Sequence, residues 1–356
     1  MKFSCHKSVL LDGINTVQRA VSPKNILPIT QGILVETESN MVRFSATDTE
    51  LGIQKMVEAT VDSYGSTVVP ARLFREIVSK LPDELIICHL KGEVLKLQYD
   101  ESEIEIQTLD PDEFPVFPVS DNEQIVIPTD AIRDGLKKTM IAIAINDART
   151  TITGVFVTLE NGRLEIMATD ANRMAIYGQD VGVERTFQGI IPGKTAAEIL
   201  RLIEGEELQL NVLGTQLVFQ FGSVTIYSRT LDGKFPAFKK LIPTDMKTKV
   251  EVDVNRLAGA IERASILAEG ESKTIRIEGA EALTVRALNQ KSGKINEKVY
   301  AEHDGEEIRI NIKAKFMTDV LKVLDEQRCV IGFNGPKSAF VITEGQYQYV
   351  GMLIIH

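Results

Sequence analysis

Hydrophobic and polar positions alternate along this chain in two periods, which predict helices and short strands. Near the N-terminus, Val9, Leu10, Ile14 and Val17 form one apolar stripe with helical spacing. A second stripe follows about 60 residues later within 71–81, just after Pro70, a residue that is well tolerated at a helix start. Between the stripes lie runs such as EVLKLQY and EIEIQTL, whose period of two is typical of half-buried strands.

This pattern occurs more than once, and the copies share one register. The segment containing Ala46-Thr47-Asp48 recurs around Ala168-Thr169-Asp170, and 122 residues separate the two. The same spacing separates Pro70 from Pro192, and Thr108 from Thr230. A fainter third copy follows in the same order, with VRALNQKSG at 285–293 and a helical pattern at 312–324.

The repeat predicts an α+β fold of three tandem units, each with two helices packed on antiparallel sheet. The boundaries fall in proline-containing stretches that we interpret as extended linkers, which predicts domains at 1–122, 123–247 and 248–356. Helices are expected at 7–20, 71–81, 130–144, 194–204, 253–268 and 313–325.

Composition indicates an ordered protein and gives no sign of export. Hydrophobic residues make up 44% of the chain and charged residues 25%, as in globular domains. The three scattered cysteines favour a reducing cytoplasm, and no window is apolar enough to span a membrane. We therefore expect a cytoplasmic location and no membrane partner.

The net charge of −10 argues against nucleic acid until its distribution is considered. The six predicted helices carry 15 Lys and Arg against 10 Asp and Glu, so the excess of acid lies elsewhere. Surface helices often carry basic residues, but the same bias in three repeats favours loose contact with a DNA backbone, without base readout. The basic residues predicted to face DNA are Lys24, Arg72, Arg75, Lys80, Arg133, Lys137, Lys138, Lys194, Arg201, Lys313, Lys315 and Lys322.

Helix geometry indicates how many chains could surround a duplex. Six helices spaced about 9 Å apart form a circle about 17 Å across their axes, which is too small for DNA. Twelve helices give about 34 Å across axes and about 24 Å clear, which admits a duplex about 20 Å wide. The prediction is a homodimeric ring, with Ile104, Ile106, Ile266 and Leu267 at the dimer interface unless all four belong to the cores of their own domains.

Several segments together resemble the family of the bacterial DNA polymerase III beta subunit, the replicative sliding clamp. They are LPIT at 27–30, VVPARLFREIVSKLP at 68–82, TLDPDEFP at 108–115, ATDANRMAIY at 168–177, TLDGKFPAFKKLIP at 230–243 and ERASILAEGES at 262–272. The resemblance implies a head-to-tail homodimer that encircles double-stranded DNA and confers processivity. It also implies tethering of DNA polymerase, the clamp loader and repair proteins through short linear motifs.

The resemblance further implies a peptide pocket between the second and third domains. Its lining here would be Ile152, Thr169, Ala171, Asn172, Arg173, Met174, Pro236, Lys240, Leu241, Val350, Met352 and Leu353. This chain differs from the usual family pattern at Ala171-Asn172, where Gly-His is common, and at its C-terminal Met352-Leu353, where Pro usually follows the first residue.

No enzymatic pattern emerges from the sequence. GIIPGKT at 189–195 has three residues between its glycines where a phosphate-binding loop has four, and the repeat explains it as a helix start. The acidic turn at Asp110, Asp112 and Glu113 loses two carboxylates in the second repeat, which disfavours a metal site. We predict a protein with no catalytic residues, metal or cofactor. The alternative is an oligomeric scaffold that binds peptides without DNA inside.

Overall fold

A computed structural model of the chain describes residues 1–22, 27–118, 124–243, 245–270, 273–280, 282–336 and 338–354; the side chains of Lys240 and Leu241 are also outside the described part. Six α-helices are present in these residues: α1 (Lys7–Val17), α2 (Ala71–Lys80), α3 (Thr129–Thr139), α4 (Gly193–Leu202), α5 (Val254–Leu267) and α6 (Ala314–Leu321). The α+β class is confirmed, since antiparallel strands and a few short 3-10 helices account for the rest of the regular structure in these residues.

The strands occur in three groups that follow the predicted repeats. The first repeat contains β1 (Lys2–His6), β2 (Gly32–Glu38), β3 (Met41–Thr47), β4 (Leu51–Glu58), β5 (Thr60–Ser63), β6 (Gly65–Pro70), β7 (Leu85–Lys91), β8 (Val94–Tyr99) and β9 (Ser102–Gln107). The second contains β10 (Ile125–Pro128), β11 (Gly154–Glu160), β12 (Arg163–Thr169), β13 (Arg173–Asp180), β14 (Phe187–Pro192), β15 (Glu207–Leu213), β16 (Gln216–Phe221) and β17 (Val224–Arg229). The third contains β18 (Thr248–Asp253), β19 (Thr274–Gly279), β20 (Ala282–Asn289), β21 (Gly293–Asp304), β22 (Ile308–Lys313), β23 (Arg328–Phe333), β24 (Phe340–Glu344) and β25 (Tyr347–Gly351).

The spacing of 122 residues holds at the level of whole elements. Helices α1 and α2 correspond to α3 and α4 with this offset at both ends, and so do strands β2, β3 and β4 to β11, β12 and β13. The close approach of helix to sheet is repeated as well. A Cβ at Gly13 would lie 2.6 Å from the Phe44 ring, and one at Gly135 would lie 2.5 Å from Ile166, at the equivalent position. The repeat is therefore structural as well as sequential.

Each repeat contributes strands to two sheets, four to each except for the five of β5-β1-β7-β8-β9 in the first repeat, and neighbouring repeats extend one another's sheets. In the eight-stranded sheet, β4 of the first repeat pairs with β17 of the second. In the twelve-stranded sheet, β13 of the second repeat pairs with β25 of the third. The remaining five-stranded sheet has the order β5-β1-β7-β8-β9.

Contacts within the chain define two compact units rather than three. One unit comprises residues 1–129 and 198–230, and the other comprises 130–197 and 231–356. The second repeat is divided because each of its two sheets is continued by a different neighbour. Within the first unit α1 packs beside α2 and on β4, and within the second α5 packs beside α6 and on β21.

The proline-containing linkers differ from the prediction. Residues 114–118 lack regular structure, as expected, although Phe114 is buried, and 119–123 lie outside the described residues. The second linker includes a short 3-10 helix at Phe238–Leu241 instead of remaining extended. The predicted domain bounds stay a prediction.

Candidate nucleic-acid interface and peptide groove

The basic residues of the helices are mostly at the surface because the apolar stripe of each helix is buried against its sheet. In α2, Ala71, Phe74 and Val78 are buried, whereas the basic side chains point away from them. The exposed members of the predicted set are Arg72, Arg75, Lys80, Lys137, Lys194, Arg201, Lys315 and Lys322, and the half-buried ones are Arg133 and Lys313. Lys24 lies outside the described residues.

Several of these charges already have acidic partners. Arg72 lies 2.9 Å from Glu76, Lys315 lies 2.8 Å from Asp319, and Lys322 lies 2.7 Å from Glu262. Ion pairs of exposed side chains such as Arg72 and Lys322 are weak because solvent screens them, so a phosphate group can replace the carboxylate at small cost. Lys80 and Arg201 form no ion pair within the described part of the chain.

Lys138 was predicted to face DNA, and this prediction is wrong. Its side chain is only 8% exposed, and Nζ lies 2.8 Å from a carboxylate oxygen of Asp325 and 2.8 Å from one of Glu344. Burial lowers the pKa of Lys138, but hydrogen bonds to both carboxylates outweigh it, so that the pKa is raised overall. The ammonium group therefore joins α3 to the last strands of the third repeat.

The predicted peptide pocket is built around a tight turn between β12 and β13. Ala171 has a positive φ of 70°, and its backbone N–H donates to Thr169 Oγ1 over 3.0 Å. The Thr169 hydroxyl in turn donates to the carbonyl oxygen of Arg173 over 2.7 Å. Thr169 is only 1% exposed, so it shapes the turn from inside, and its place in the lining stays a prediction.

Arg173 likewise supports the pocket and offers little surface, because it is only 8% exposed. Its guanidinium pairs with Asp170 at 3.0 Å and with Asp319 of α6 at 2.7 Å. The same group lies over the ring of Phe316, 4.8 Å from the centroid. The turn after β12 is thus fixed to the second helix of the third repeat.

An apolar cluster lies beside this turn and combines β13 with strands of the third repeat. Met174 pairs directly with Val350, and both belong to a cluster with Met167, Ile176 and Val341. Partly buried side chains pack around it, namely Phe156, Phe235, Phe238, Ile242, Met246 and Ala339. Ile242, Met246 and Val341 also line an open depression of about 550 Å³. We call the cluster and this depression the peptide groove.

The remaining predicted lining residues divide into accessible and buried ones. Met352 is 47% exposed, and its backbone N–H donates to the carbonyl of Asn172, also exposed, over 2.8 Å. Ala171 is exposed and Pro236 half-buried, whereas the side chains of Lys240 and Leu241 lie outside the described part. Ile152 and Leu353 are buried, at 1% and 7% exposed, and their assignment to the lining stays a prediction.

Sequence reasoning missed Ile242, Met246 and Val341. Ile242 and Met246 follow the 3-10 helix of the second linker. Because this stretch was interpreted as an extended linker, its apolar residues did not indicate a binding surface. Val341 lies on a strand whose alternation shows two faces but not which face stays accessible.

The predicted dimer interface residues differ in accessibility. Ile266 is 76% exposed near the end of α5, and Leu267 is half-buried. Ile104 is half-buried on β9, whereas Ile106 is 1% exposed and belongs to the core of its own sheet. The Ile106 side chain is therefore corrected to a core position.

Potential reactive groups do not assemble into a site in the described residues. No cluster of His, Cys, Asp and Glu there could hold a metal ion. Burial raises the pKa of Cys5 to about 11 and that of Cys329 to about 12, which keeps both thiols protonated at neutral pH. None of the described helices is both long and apolar enough to cross a bilayer.

Comparisons with known proteins find the same family in all three repeats of the chain. Sequence models of the N-terminal, central and C-terminal domains of the DNA polymerase III beta subunit match residues 1–118, 126–237 and 239–356. A Beta sliding clamp of Bacillus subtilis is 30% identical over 373 aligned residues, covering all of this chain and 99% of the relative.

Solved structures give the same result. A DNA polymerase sliding clamp from Bacillus subtilis superposes with a TM-score of 0.94 at 29% identity, covering all of this chain and 99% of that one. A C. crescentus beta sliding clamp, with polyethylene glycol at a proposed beta-motif tethering region, gives 0.92 at 28% identity with both chains fully covered. With three domain models matched in consecutive order and a relative aligned end to end, the chain belongs to the DNA polymerase III beta subunit family.

Proposed function

We propose that this protein is a DNA sliding clamp: a homodimeric ring that encircles duplex DNA without reading its sequence and holds DNA polymerase to it. The end-to-end match to beta sliding clamps carries this proposal. The exposed basic residues on helices of all three repeats support it, since an overall acidic chain needs a positive surface to tolerate phosphate. The protein acts in the cytoplasm as a tether, without catalysis or a cofactor.

The strand pairings within the chain support a head-to-tail dimer. At each internal junction, the fourth strand of one repeat in chain order pairs with the last strand of the next repeat: β4 with β17, and β13 with β25. Two strands in these roles have an unpaired edge in the described residues. They are β9, at the end of its sheet, and residues 293–300 of β21, which pair only with β20.

The same rule joins β21 of one chain to β9 of the other. The register of the β4–β17 pairing can be applied to the dimer as well. There Ile226 lies opposite Ile53; Ile104 corresponds to Ile226 and Ile295 to Ile53, so Ile104 would lie opposite the partner's Ile295. This contact uses the backbone edge of β9, so it does not need the buried Ile106 side chain. Pairing the two edges also removes an aggregation hazard from each chain.

The peptide groove is proposed to hold short linear motifs of DNA polymerase, the clamp loader and repair proteins. Its apolar floor at Met174, Val350 and Val341 suits apolar side chains of an extended peptide. The exposed Asn172 and the backbone around Met352 provide polar groups at one end. These groups would orient the bound peptide.

Topological retention on DNA tests the function. Purified protein is loaded onto a nicked circular plasmid with a bacterial clamp loader and ATP, and is then isolated by gel filtration in 0.5 M NaCl. We expect the protein to stay with the circle and to dissociate once a restriction enzyme linearises it. Enclosure has no dependence on ionic contacts, whereas surface binding weakens steeply with salt.

The alternative function, a peptide-binding scaffold with no DNA inside, gives a different result. A scaffold would dissociate in high salt from circular and linear DNA alike. A form that remains monomeric at micromolar concentration would also exclude encirclement, because the six helices in the described residues of one chain cannot surround a duplex.

A further inference from the structure

The first unit contains a second depression on the face of the eight-stranded sheet, larger than the one in the peptide groove. It has a volume of about 880 Å³, and its lining includes Leu34, Met41, Met56, Phe114, Val116 and Phe117. Val116 is 95% exposed, which is unusual for an apolar residue beside other apolar side chains. We call this feature the first-unit depression.

The first-unit depression adjoins the position in the first repeat that corresponds to the apolar cluster of the peptide groove in the second. With the offset of 122, Leu34 corresponds to Phe156, and Gly52 corresponds to Met174. Gly52 pairs with Tyr227 across the junction of the first and second repeats, just as Met174 pairs with Val350 across the next junction. Both internal junctions thus carry an apolar depression, which lies mainly on β2, β3 and β4 in the first unit and on the strands of the third repeat in the second.

The floors of the two depressions differ in detail. In the first unit, the Phe117 ring lies over Gly52, where a Cβ would come within 2.3 Å of the ring. The same ring packs against Tyr227 with centroids 4.6 Å apart, and Tyr227 donates to Gln54 over 2.9 Å. Phe117 therefore fills the space that Met174 fills in the peptide groove, and leaves open the area toward Met41 and Met56.

The charge around the first-unit depression is acidic. Three carboxylates line it, those of Glu36, Glu38 and Asp112, against one guanidinium, that of Arg43. Arg43 is already engaged with Glu38 and lies 3.7 Å from Glu36. Such a rim repels phosphate and favours Lys or Arg on whatever binds.

From these observations we propose that the first-unit depression is a second docking site, which takes a short peptide segment of a partner protein with apolar side chains flanked by Lys or Arg. The apolar floor receives the apolar side chains, and Glu36, Glu38 and Asp112 hold the basic flanks. Each chain would then have two distinct peptide sites, which one partner could occupy together or two partners could share. This inference does not depend on DNA encirclement.

Two synthetic eight-residue peptides test the proposal with the full-length protein. One has Leu and Phe between lysines, and the other has the lysines replaced by glutamates. Fluorescence anisotropy is expected to show at least tenfold tighter binding of the lysine peptide, weakened by salt. Met56→Lys or Val116→Lys should weaken that binding at least tenfold, whereas Leu85→Lys, on an exposed strand residue outside the depression, should leave it unchanged.

Methyl NMR of the methionines locates the bound peptide. Met41 and Met56 report on the first-unit depression, and Met174, Met246 and Met352 report on the peptide groove. Shifts at Met41 and Met56 alone are the expected result. The proposal is overturned if the lysine peptide shifts only the second set, if Met56→Lys and Val116→Lys both leave binding intact, or if neither peptide binds at millimolar concentration.

Discussion

Lys137 and Lys138 show how neighbouring residues of the same type acquire different roles. Successive residues on a helix point about 100° apart, so two neighbours can meet different surroundings. Lys137 is 48% exposed, whereas Lys138 is buried between Asp325 and Glu344. Sequence alone could not separate them, because the deciding carboxylate of Glu344 is 206 residues away.

Replacing Lys138 should destabilise the protein without removing a DNA contact. Lys138→Met leaves the Glu344 carboxylate, 9% exposed, with only the backbone N–H groups of Asp325 and Glu326 as partners. We expect a loss of about 3 kcal/mol in the free energy of unfolding, as for a broken buried ion pair. Urea denaturation measures it, and Lys137→Met is the control, with an expected change of about 0.5 kcal/mol or less.

The same ion pair gives the protein a defined sensitivity to acid. The hydrogen bond from Lys138 lowers the pKa of Asp325 below its ordinary value of 3.8. A carboxylate with a lowered pKa stabilises the folded state above its unfolded pKa, and this contribution is lost as pH falls toward the folded pKa. The difference in stability between wild type and Lys138→Met should therefore shrink below about pH 4. A difference that stays constant from pH 7 to pH 3 would contradict the pairing.

At the scale of elements, hydrophobic periodicity predicted all six helices, with starts correct to within one residue. The predicted ends of α1 and α3 run too far because short 3-10 helices follow, at Gln18–Ala20 and at Met140–Ala142. These turns keep the apolar spacing for a few more residues, so the pattern does not reveal the change in helix type.

The alternating pattern of a strand predicted less than the helical periodicity did, because it does not show which face is buried or which edge is free to pair. Ile104 and Ile106 share one face of β9, as period two requires, but that face is turned toward the core. The alternation defines two faces and leaves open which edge of the strand is free. The free edge became visible only from the sheet order β5-β1-β7-β8-β9.

The end of α5 should be essential for dimerisation. Ile266 is 76% exposed, and charge at this position and at Leu267 would be buried in an interface without a partner. The double variant Ile266→Lys with Leu267→Lys is expected to be monomeric by sedimentation at micromolar concentration. Tyr64→Lys, 70% exposed beyond the opposite end of the β9 sheet, should remain dimeric. A dimeric double variant would refute this part of the interface.

At the scale of the whole molecule, the offset of 122 residues predicted the first two repeats. The third repeat was predicted only from the order of its segments along the chain. Its β20–β21 hairpin is one residue longer than the β3–β4 hairpin, since the paired Ala287 and Ile295 are eight residues apart and the paired Ala46 and Ile53 are seven apart. The two compact units could not be predicted, because they arise from sheet pairings between repeats.

The distribution of charge over the whole molecule can be tested through salt dependence. Lys80 and Arg201 lie on helices and form no ion pair in the part of the chain that is described. Removing one contact with a phosphate should reduce the slope of the logarithm of the DNA-binding constant against the logarithm of salt concentration by about 0.9. Because a dimer carries each substitution twice, one substitution reduces the slope by up to about 1.8. Fluorescence anisotropy with a linear duplex measures Lys80→Gln and Arg201→Gln. Lys91→Gln, at the end of β7, should keep the wild-type slope.

The edges of β9 and β21 that are unpaired in the described residues affect whether the assembly closes into a ring. Two unlike edges that join head to tail leave another unlike pair available after every addition, so growth stops only when the last edge meets the first. The angle at each junction therefore decides between a finite circle and an endless fibre. A substitution that alters strand twist near Ile104 without weakening the pairing would yield filaments, and the cell would lose the clamp while every chain remained folded and joined.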